Sequence, residues 1–258
     1  MYPEFKGFVV MVTGAASGIG LAVARQFIEE EAVVISPDID EAGLGKAAAE
    51  LGDKFIPYTC DISKADKVAG LAAFVRDGYG RLDVLVNNAA MGKLTAIDAM
   101  TEEDFYYHYE VDVKGAMLMI TSMLPLLRES AYPSIVNMSS SAALVEHVNH
   151  HFLYSTAKAA VLKYTMHLAR DLPGIRANAI LPGWVDTPIY ERAGFERSFV
   201  EQVYEKAVKH IPAGRIAMPD DIANAILFLC SKKASYVNGA ALQVDGGYLT
   251  GADWGFPF

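Results

Sequence analysis

Short apolar, β-branched runs alternate along this chain with longer segments of helical period, and that alternation limits the fold more than any single motif. "FVVMVT", "AVVIS", "KFIPYTC", "LDVLVNN", "SIVNMSS", "IRANAIL" and "ALQVDGG" read as strands. Between them, residues 19–31, 41–51, 64–79, 102–127, 152–171 and 220–231 read as helices. Strands that are apolar along their whole length are buried on both faces. Alternated with helices, they predict a parallel α/β sheet of about seven strands, doubly wound in the Rossmann manner with helices on both faces. No linker, repeat or low-complexity stretch divides the 258 residues, so residues 1–258 read as one domain.

Composition narrows the functional classes. Twenty-two Lys and Arg against 31 Asp and Glu give a formal charge of −9, and no basic block interrupts the chain. Phosphate backbones demand clustered cations, so nucleic acid is not an expected partner. No apolar stretch approaches the roughly 20 residues of a membrane span, so no membrane partner is expected either. The N-terminus lacks a basic segment followed by an apolar run, and the two cysteines, Cys60 and Cys230, lie far apart. The expectation is a cytoplasmic protein with reduced thiols.

In a doubly wound sheet, ligands sit beyond the C-terminal ends of the strands. Those ends here are Thr13–Gly14, Ser36–Asp38, Cys60–Asp61, Asn87–Ala90, Ser139–Ser141 and Leu181–Gly183. After the first strand comes "TGAASGIG", with Gly14, Gly18 and Gly20. Glycines there allow a tight turn and close approach of backbone N–H groups to a pyrophosphate, helped by the following helix N-terminus. The second strand ends at Asp38, with no Lys or Arg in "ISPDIDEAG". A carboxylate at this distance accepts hydrogen bonds from ribose hydroxyls and repels a 2′-phosphate, so NAD is expected over NADP. Asp40 and Glu41 read as cap and first-turn acids of the next helix.

Two tyrosines have a lysine four residues on: Tyr2/Lys6 and Tyr154/Lys158. Only the second pair lies on a helix that follows a serine-tipped strand. On one helix face, the ammonium favours phenolate and suits Tyr154 to general acid/base work on an alcohol or carbonyl. His147, His150 and His151 lack the Cys or carboxylate partners of a metal set, and no metal is expected. A histidine of this loop is expected to face the substrate, because the loop leads into Tyr154.

Together "TGAASGIG", Asp61-Ile62, "VNNAA", "SIVNMSS", "YSTAK", "GIRANAILPGWVDTP", "GRIAMPDDIANAILFL" and "LQVDGG" resemble the short-chain dehydrogenase/reductase family nearly end to end. The resemblance implies hydride transfer between NAD and a secondary alcohol or ketone, the small-molecule partner. It implies that the backbone at Gly14, Ser17, Ile19 and Gly20 holds the pyrophosphate. Asp38 would take the adenosine ribose, Asp61 and Ile62 the adenine, and Asn88 and Ala89 the path between. Val185 and Thr187 would hold the carboxamide, and Lys158 the nicotinamide ribose. Tyr154 would be the acid/base, with a serine on the substrate oxygen. The N-x-S-S register selects Ser140, and the commoner spacing to the tyrosine selects Ser141; the strand register favours Ser140.

Three positions depart from the family pattern: Asp112 for the usual Asn in "VDVKG", Ala90 for Gly, and Glu31 where a helix usually ends in Gly. An ionised Asp112 would support the Lys158 ammonium and oppose the Tyr154 phenolate. The family further implies a homotetramer or homodimer and a substrate lid over residues 186–215. That stretch carries Ile189, Tyr190, Phe195, Phe199 and Tyr204, and Trp254, Phe256 and Phe258 lie in the tail. Lys93 and the histidines are candidate contacts for polar groups. Two further classes remain open: an NAD-binding regulator without catalysis, and an epimerase or dehydratase that retains its cofactor.

Overall fold

A computed structural model describes residues 2–145 and 149–250. Seven parallel strands form one sheet in the order β3-β2-β1-β4-β5-β6-β7. They are β1 (Val9–Val12), β2 (Val33–Asp38), β3 (Phe55–Thr59), β4 (Val84–Asn87), β5 (Ser134–Met138), β6 (Arg176–Pro182) and β7 (Ala241–Val244). β1, β4 and β5 are buried along their whole length, as strands covered on both faces must be.

Two cores flank the sheet. Alternate residues of β1 divide between them: Val10 and Val12 face one, Val9 and Met11 the other. The first core holds α1 (Gly18–Glu29), α2 (Glu41–Leu51) and, later in the chain, Pro219–Cys230. The second holds α3 (Ala65–Tyr79) and the apolar face of Ala116–Leu127. Phe27 and Phe5, fully buried, stack edge-on at 5.0 Å and close the bottom of the first core.

The expected helix over 102–127 is real but not uniform. It is α4 (Glu102–His108), a π-helical turn over Tyr109–Gly115, and α5 (Ala116–Leu127). A π turn inserts a residue into the helical ladder and re-aims what it carries, here Asp112. After β5 comes α6 (Phe152–Asp171), then α7 (Ile189–Arg192) and α8 (Arg197–Val208) in the expected lid stretch, and α9 (Pro219–Cys230). Cys60 and Cys230 are both free and buried. Among the described residues no helix is long and apolar enough to cross a membrane.

The first helix stops at Glu29, short of the expected 31, because the chain reverses there. Glu31 has φ +67, and its N–H bonds the Ile28 carbonyl at 2.9 Å. A left-handed residue at a helix end is where glycine avoids the Cβ clash. The exposed Glu31–Lys6 pair at 2.8 Å offsets little of that strain. Glu31→Gly is expected to raise Tm by about 2–4 °C in thermal unfolding.

Candidate functional site

The glycine loop is built from backbone that tolerates no side chain at two points. A Cβ on Gly20 would sit 2.3 Å from the Gly14 carbonyl oxygen and 2.6 Å from Asn88 Nδ2. Gly14 has φ +72 and lies against Ala89, whose Cα would be 2.9 Å from a Gly14 Cβ. Asn88 donates through Nδ2 to the carbonyls of Thr13 and Gly14, at 2.9 and 3.2 Å. The Thr13 hydroxyl accepts the N–H groups of Asn88 and Ala89, each at 2.9 Å. β4 therefore straps the loop to β1, and the N-terminus of α1 opens beside it. Ser17 precedes that helix without a side-chain cap bond.

This loop forms one end of a cleft of about 910 Å³ along the C-terminal edge of the sheet. Gly14, Ser17, Ile19, Asp38, Asp61 and Ile62 line it, as do Asn88, Ala89, Val185 and Thr187. At the far end stand Ser140, Tyr154 and Lys158. Gly20 does not line the cleft: it packs behind the loop, where only a hydrogen fits. Asp112 does not line it either, because the π turn places it behind Lys158. A cleft that joins an N–H-rich glycine loop to a carboxylate-tipped second strand and a tyrosine–lysine pair fits an extended dinucleotide.

Asp38 is almost fully buried, and its two carboxylate oxygens accept from Ala16 N and Asp40 N at 3.0 Å each. It thus fixes the loop as well as facing the cleft. Asp40 caps α2 by accepting from Gly43 N at 2.9 Å. Sequence spacing places no cation near this corner, yet the fold brings one: Arg192, the last residue of α7, pairs with Asp40 at 3.3 Å.

The serines separate by direction. Ser139 donates to the Lys158 carbonyl at 2.8 Å and ties β5 to α6. Ser141 is buried at the start of a short 3-10 turn. Ser140 Oγ accepts from Ala142 N at 3.1 Å and hydrogen-bonds the Tyr154 hydroxyl. Burial raises the Tyr154 pKa above the ordinary tyrosine value, Lys158 and the Ser140 bond pull it back, and Asp112 adds to the rise. Lys158 Nζ lies 5.4 Å from the Tyr154 ring centre. It donates to Asp112 Oδ1 at 3.0 Å and to the Met138 carbonyl at 3.1 Å. Burial works most strongly against the Lys158 ammonium, but Asp112 and Tyr154 together outweigh it and hold the Lys158 pKa above the usual lysine value.

Of the three loop histidines, His151 stacks on the Tyr154 ring at 4.4 Å and lines the cleft. His150 is exposed, with φ +65. His147 lies outside the described residues, as do Trp254, Phe256 and Phe258. Among the described residues no three His, Cys, Asp or Glu side chains converge as a metal site would need. Lys93 is not a free cation for a ligand: it is ion-paired with Asp104, whose carboxyl Lys93 and Thr101 hold down at about 2. Tyr2 and Lys6 lie far from the cleft, Tyr2 against Phe5 and Lys6 on Glu31. α7 sends Ile189 and Tyr190 to the cleft, while Phe195 and Phe199 beyond it stack on each other. Tyr204 is buried, its hydroxyl on the Val185 carbonyl at 3.0 Å.

Sequence reasoning did not mark Trp184, Met91 or His108. Trp184 follows the "PG" at the end of β6 and lines the cleft 6.1 Å from Tyr190. Its place directly after a strand-end glycine was the available signal. Met91 follows "VNNAA" into the same cleft. His108 sits one helical turn before Asp112, a spacing that is visible in "HYEVD".

The family described as Enoyl-(Acyl carrier protein) reductase matches residues 14–249. The chain belongs to the short-chain dehydrogenase/reductase family. Its relatives include the 3-oxoacyl-[acyl-carrier-protein] reductase of Thermotoga maritima, 36% identical over 95% of this chain and 99% of that one. Another is the NAD-dependent glycerol dehydrogenase of Listeria innocua, 34% identical over 95% of this chain and 98% of that one. Among solved structures, a 3-ketoacyl-(acyl-carrier-protein) reductase from Brucella melitensis, complexed with NADH, superposes with a TM-score of 0.86. It is 33% identical, over 95% of this chain and 99% of that one. The short-chain dehydrogenase/reductases bind a nicotinamide cofactor, and these relatives are oxidoreductases. Gly20→Ala is expected to displace the loop and weaken binding of the nicotinamide cofactor by more than about tenfold, read by quenching of tryptophan fluorescence.

Proposed function

We propose that this short-chain dehydrogenase/reductase transfers hydride between NAD and a secondary alcohol or its ketone, with Tyr154 as the general acid/base. The observation that carries the reading is the Ser140–Tyr154–Lys158 arrangement at the end of a dinucleotide-sized cleft. The bound nicotinamide supplies a hydride acceptor in oxidation and a hydride donor in reduction. Ser140 would hydrogen-bond the substrate oxygen and hold it at Tyr154 Oη. In oxidation the alcohol O–H proton passes to the phenolate oxygen; in reduction the Tyr154 O–H returns it to the forming alkoxide. Lys158 favours the phenolate and would take the nicotinamide ribose. Gly14, Ser17 and Ile19 would hold the pyrophosphate, Asp61 and Ile62 the adenine, and Asn88, Ala89, Val185 and Thr187 the rest.

Asp38 supports NAD as the cofactor, since a carboxylate at the end of β2 repels a 2′-phosphate. The reading is of a single domain whose residues 186–215 cover the substrate. His151 and Tyr190 beside Tyr154, with Trp184 against Tyr190, line the cleft with apolar faces and polar tips, which suits a hydroxylated substrate. Exposed Phe105 and Met117, on α4 and α5, support self-association as a homodimer or homotetramer.

The test is NADH absorbance with NAD or NADP and a panel of polyols, other secondary alcohols and, in reverse, 3-oxoacyl thioesters. Turnover with none of them sinks the reading. With an active substrate, Tyr154→Phe is expected to lower kcat by about 10²–10⁴-fold. Ser140→Ala should lower kcat while Ser141→Ala leaves it within about threefold; the reverse result moves the serine by one position.

Asp112 sets the pH dependence. It opposes the phenolate, so Asp112→Asn should lower the Tyr154 pKa and move the acid limb of kcat/KM for oxidation to lower pH, by about one unit. The same substitution removes support from the Lys158 ammonium, so any alkaline limb set by Lys158 also moves down. A profile unchanged by Asp112→Asn would detach Asp112 from the acid/base pair.

A further inference from the structure

Asp112 has two oxygens, and Lys158 uses only one. Oδ1 accepts from Lys158 Nζ at 3.0 Å and from Met91 N at 3.4 Å. Oδ2 is buried without a hydrogen-bond partner among the described residues, and it faces His108 Nδ1 at 3.7 Å. His108 is itself fully buried, and neither ring nitrogen has a hydrogen-bond partner there. A buried carboxylate oxygen and a buried imidazole, each unsatisfied, are costly separately and satisfy one another if Nδ1–H donates to Oδ2. At 3.7 Å that bond is not made in this geometry, and it requires the two side chains to approach one another. His108 is the last residue of α4 and Asp112 lies one turn on, within the π segment, so the backbone already holds the two side by side. The other edge of the imidazole meets the active-site side: its ring stands edge-on to Tyr154 at 6.2 Å.

We propose that His108 is a positioning residue that shares the Asp112 carboxylate with Lys158, and so limits how strongly Asp112 opposes ionisation of Tyr154. The proposal rests on the reading of Tyr154 as the acid/base. It answers the problem that Asp112 creates. A carboxylate bonded to Lys158 alone cancels the ammonium that Tyr154 needs. A donor on its second oxygen draws negative charge toward His108 and leaves more of the Lys158 field on the phenol.

The other titratable groups around His108 are engaged elsewhere or carry no competing charge. On α4, Asp104 is bound by Lys93 and Thr101, and the Tyr107 ring stands edge-on to His108 at 5.3 Å with Lys93 over its face. α6 contributes Tyr154, Lys158 and the buried Tyr164. Burial, then Asp112, raises the Tyr164 pKa well above the ordinary tyrosine value, so Tyr164 stays neutral. Among the described residues, Asp112 is the carboxylate within ion-pair distance of His108.

The test is the pH profile of kcat/KM for alcohol oxidation in wild type, His108→Leu, His108→Phe and His108→Asn, each made also in the Asp112→Asn background. His108→Leu and His108→Phe remove the donor, and their acid limb should move up by about 0.5–1 unit, with KM for NAD within about twofold of wild type. His108→Asn keeps a donor at the Nδ1 position and should restore most of the shift. In the Asp112→Asn background none of the three should move the limb. Equal shifts in both backgrounds, or no shift in a folded His108→Phe protein, would overturn the proposal. Should His108→Leu fail to fold, the ring-sized Phe variant carries the comparison. The near-ultraviolet phenolate titration, taken as the difference from Tyr154→Phe, reads the same coupling without turnover. Absence of turnover therefore counts against the functional reading alone. A Tyr154 titration that ignores His108 counts against this proposal alone.

Discussion

β1 and β4 lie side by side although β2 and β3 come between them in the chain, and the site depends on how that junction is closed. Strand order reverses there, leaving a crevice at the C-terminal edge of the sheet. Thr13 and Asn88 close its floor with reciprocal bonds from side chain to backbone. Gly20 sits so close to the Gly14 carbonyl and to Asn88 that the turn has no slack. Asp38 then takes Ala16 N from the β2 side. The glycine-loop end of the cleft is thus fixed by three neighbouring strands, before any ligand contributes. Loop N–H groups held this way need little reorganisation to meet an anion.

At the other end the governing quantity is charge in a poorly solvated place. Tyr154 and Lys158 share a helix face, and Ser140 reaches Tyr154 from the end of β5. Burial pushes Tyr154 toward the neutral phenol, and Lys158 pulls the other way. Asp112 has the strongest claim on the Lys158 charge, through a short bond inside the protein. A carboxylate here does what a neutral amide cannot. It secures the ammonium against its own burial, and it takes back part of the help the ammonium gives to the phenolate. The Met138 carbonyl fixes the same Nζ without adding a formal charge. The geometry of the pair and its electrostatics are therefore set by different partners.

The central strands were legible because the sheet is covered on both faces there, where burial leaves only apolar runs, while the edge strands β3 and β7 alternate buried or half-buried with exposed residues. Helix ends were less legible. Glu31 takes a left-handed backbone that the periodicity does not announce, although the family's usual Gly at that position points to it, and α1 ends before the periodicity does. The π turn within 102–127 was invisible to a periodicity argument, since its residues stay helical in pattern while their directions shift. Positions marked by strand ends line the cleft: Gly14, Asp38, Asn88 and Ser140, joined by Tyr154 from α6. Gly20 and Asp112 do not line it, because a motif names positions and says nothing of which side of a wall they stand on. Lys93 and Arg192 show the same limit for charges. One looked available and is paired with Asp104; the other is distant in sequence and arrives at Asp40.

The three serines that end β5 take different places. Ser139 keeps the strand direction and bonds the backbone of α6, which fixes the distance between β5 and the helix that carries Tyr154. Ser140 follows with extended backbone and begins the 3-10 turn by accepting Ala142 N. Ser141 is then inside that turn and buried. Both Ser140 and Ser141 border the cleft, but the turn that starts at Ser140 leaves Ser141 the more buried of the two. The hydroxyl at the strand end, Ser140, is the one bonded to Tyr154.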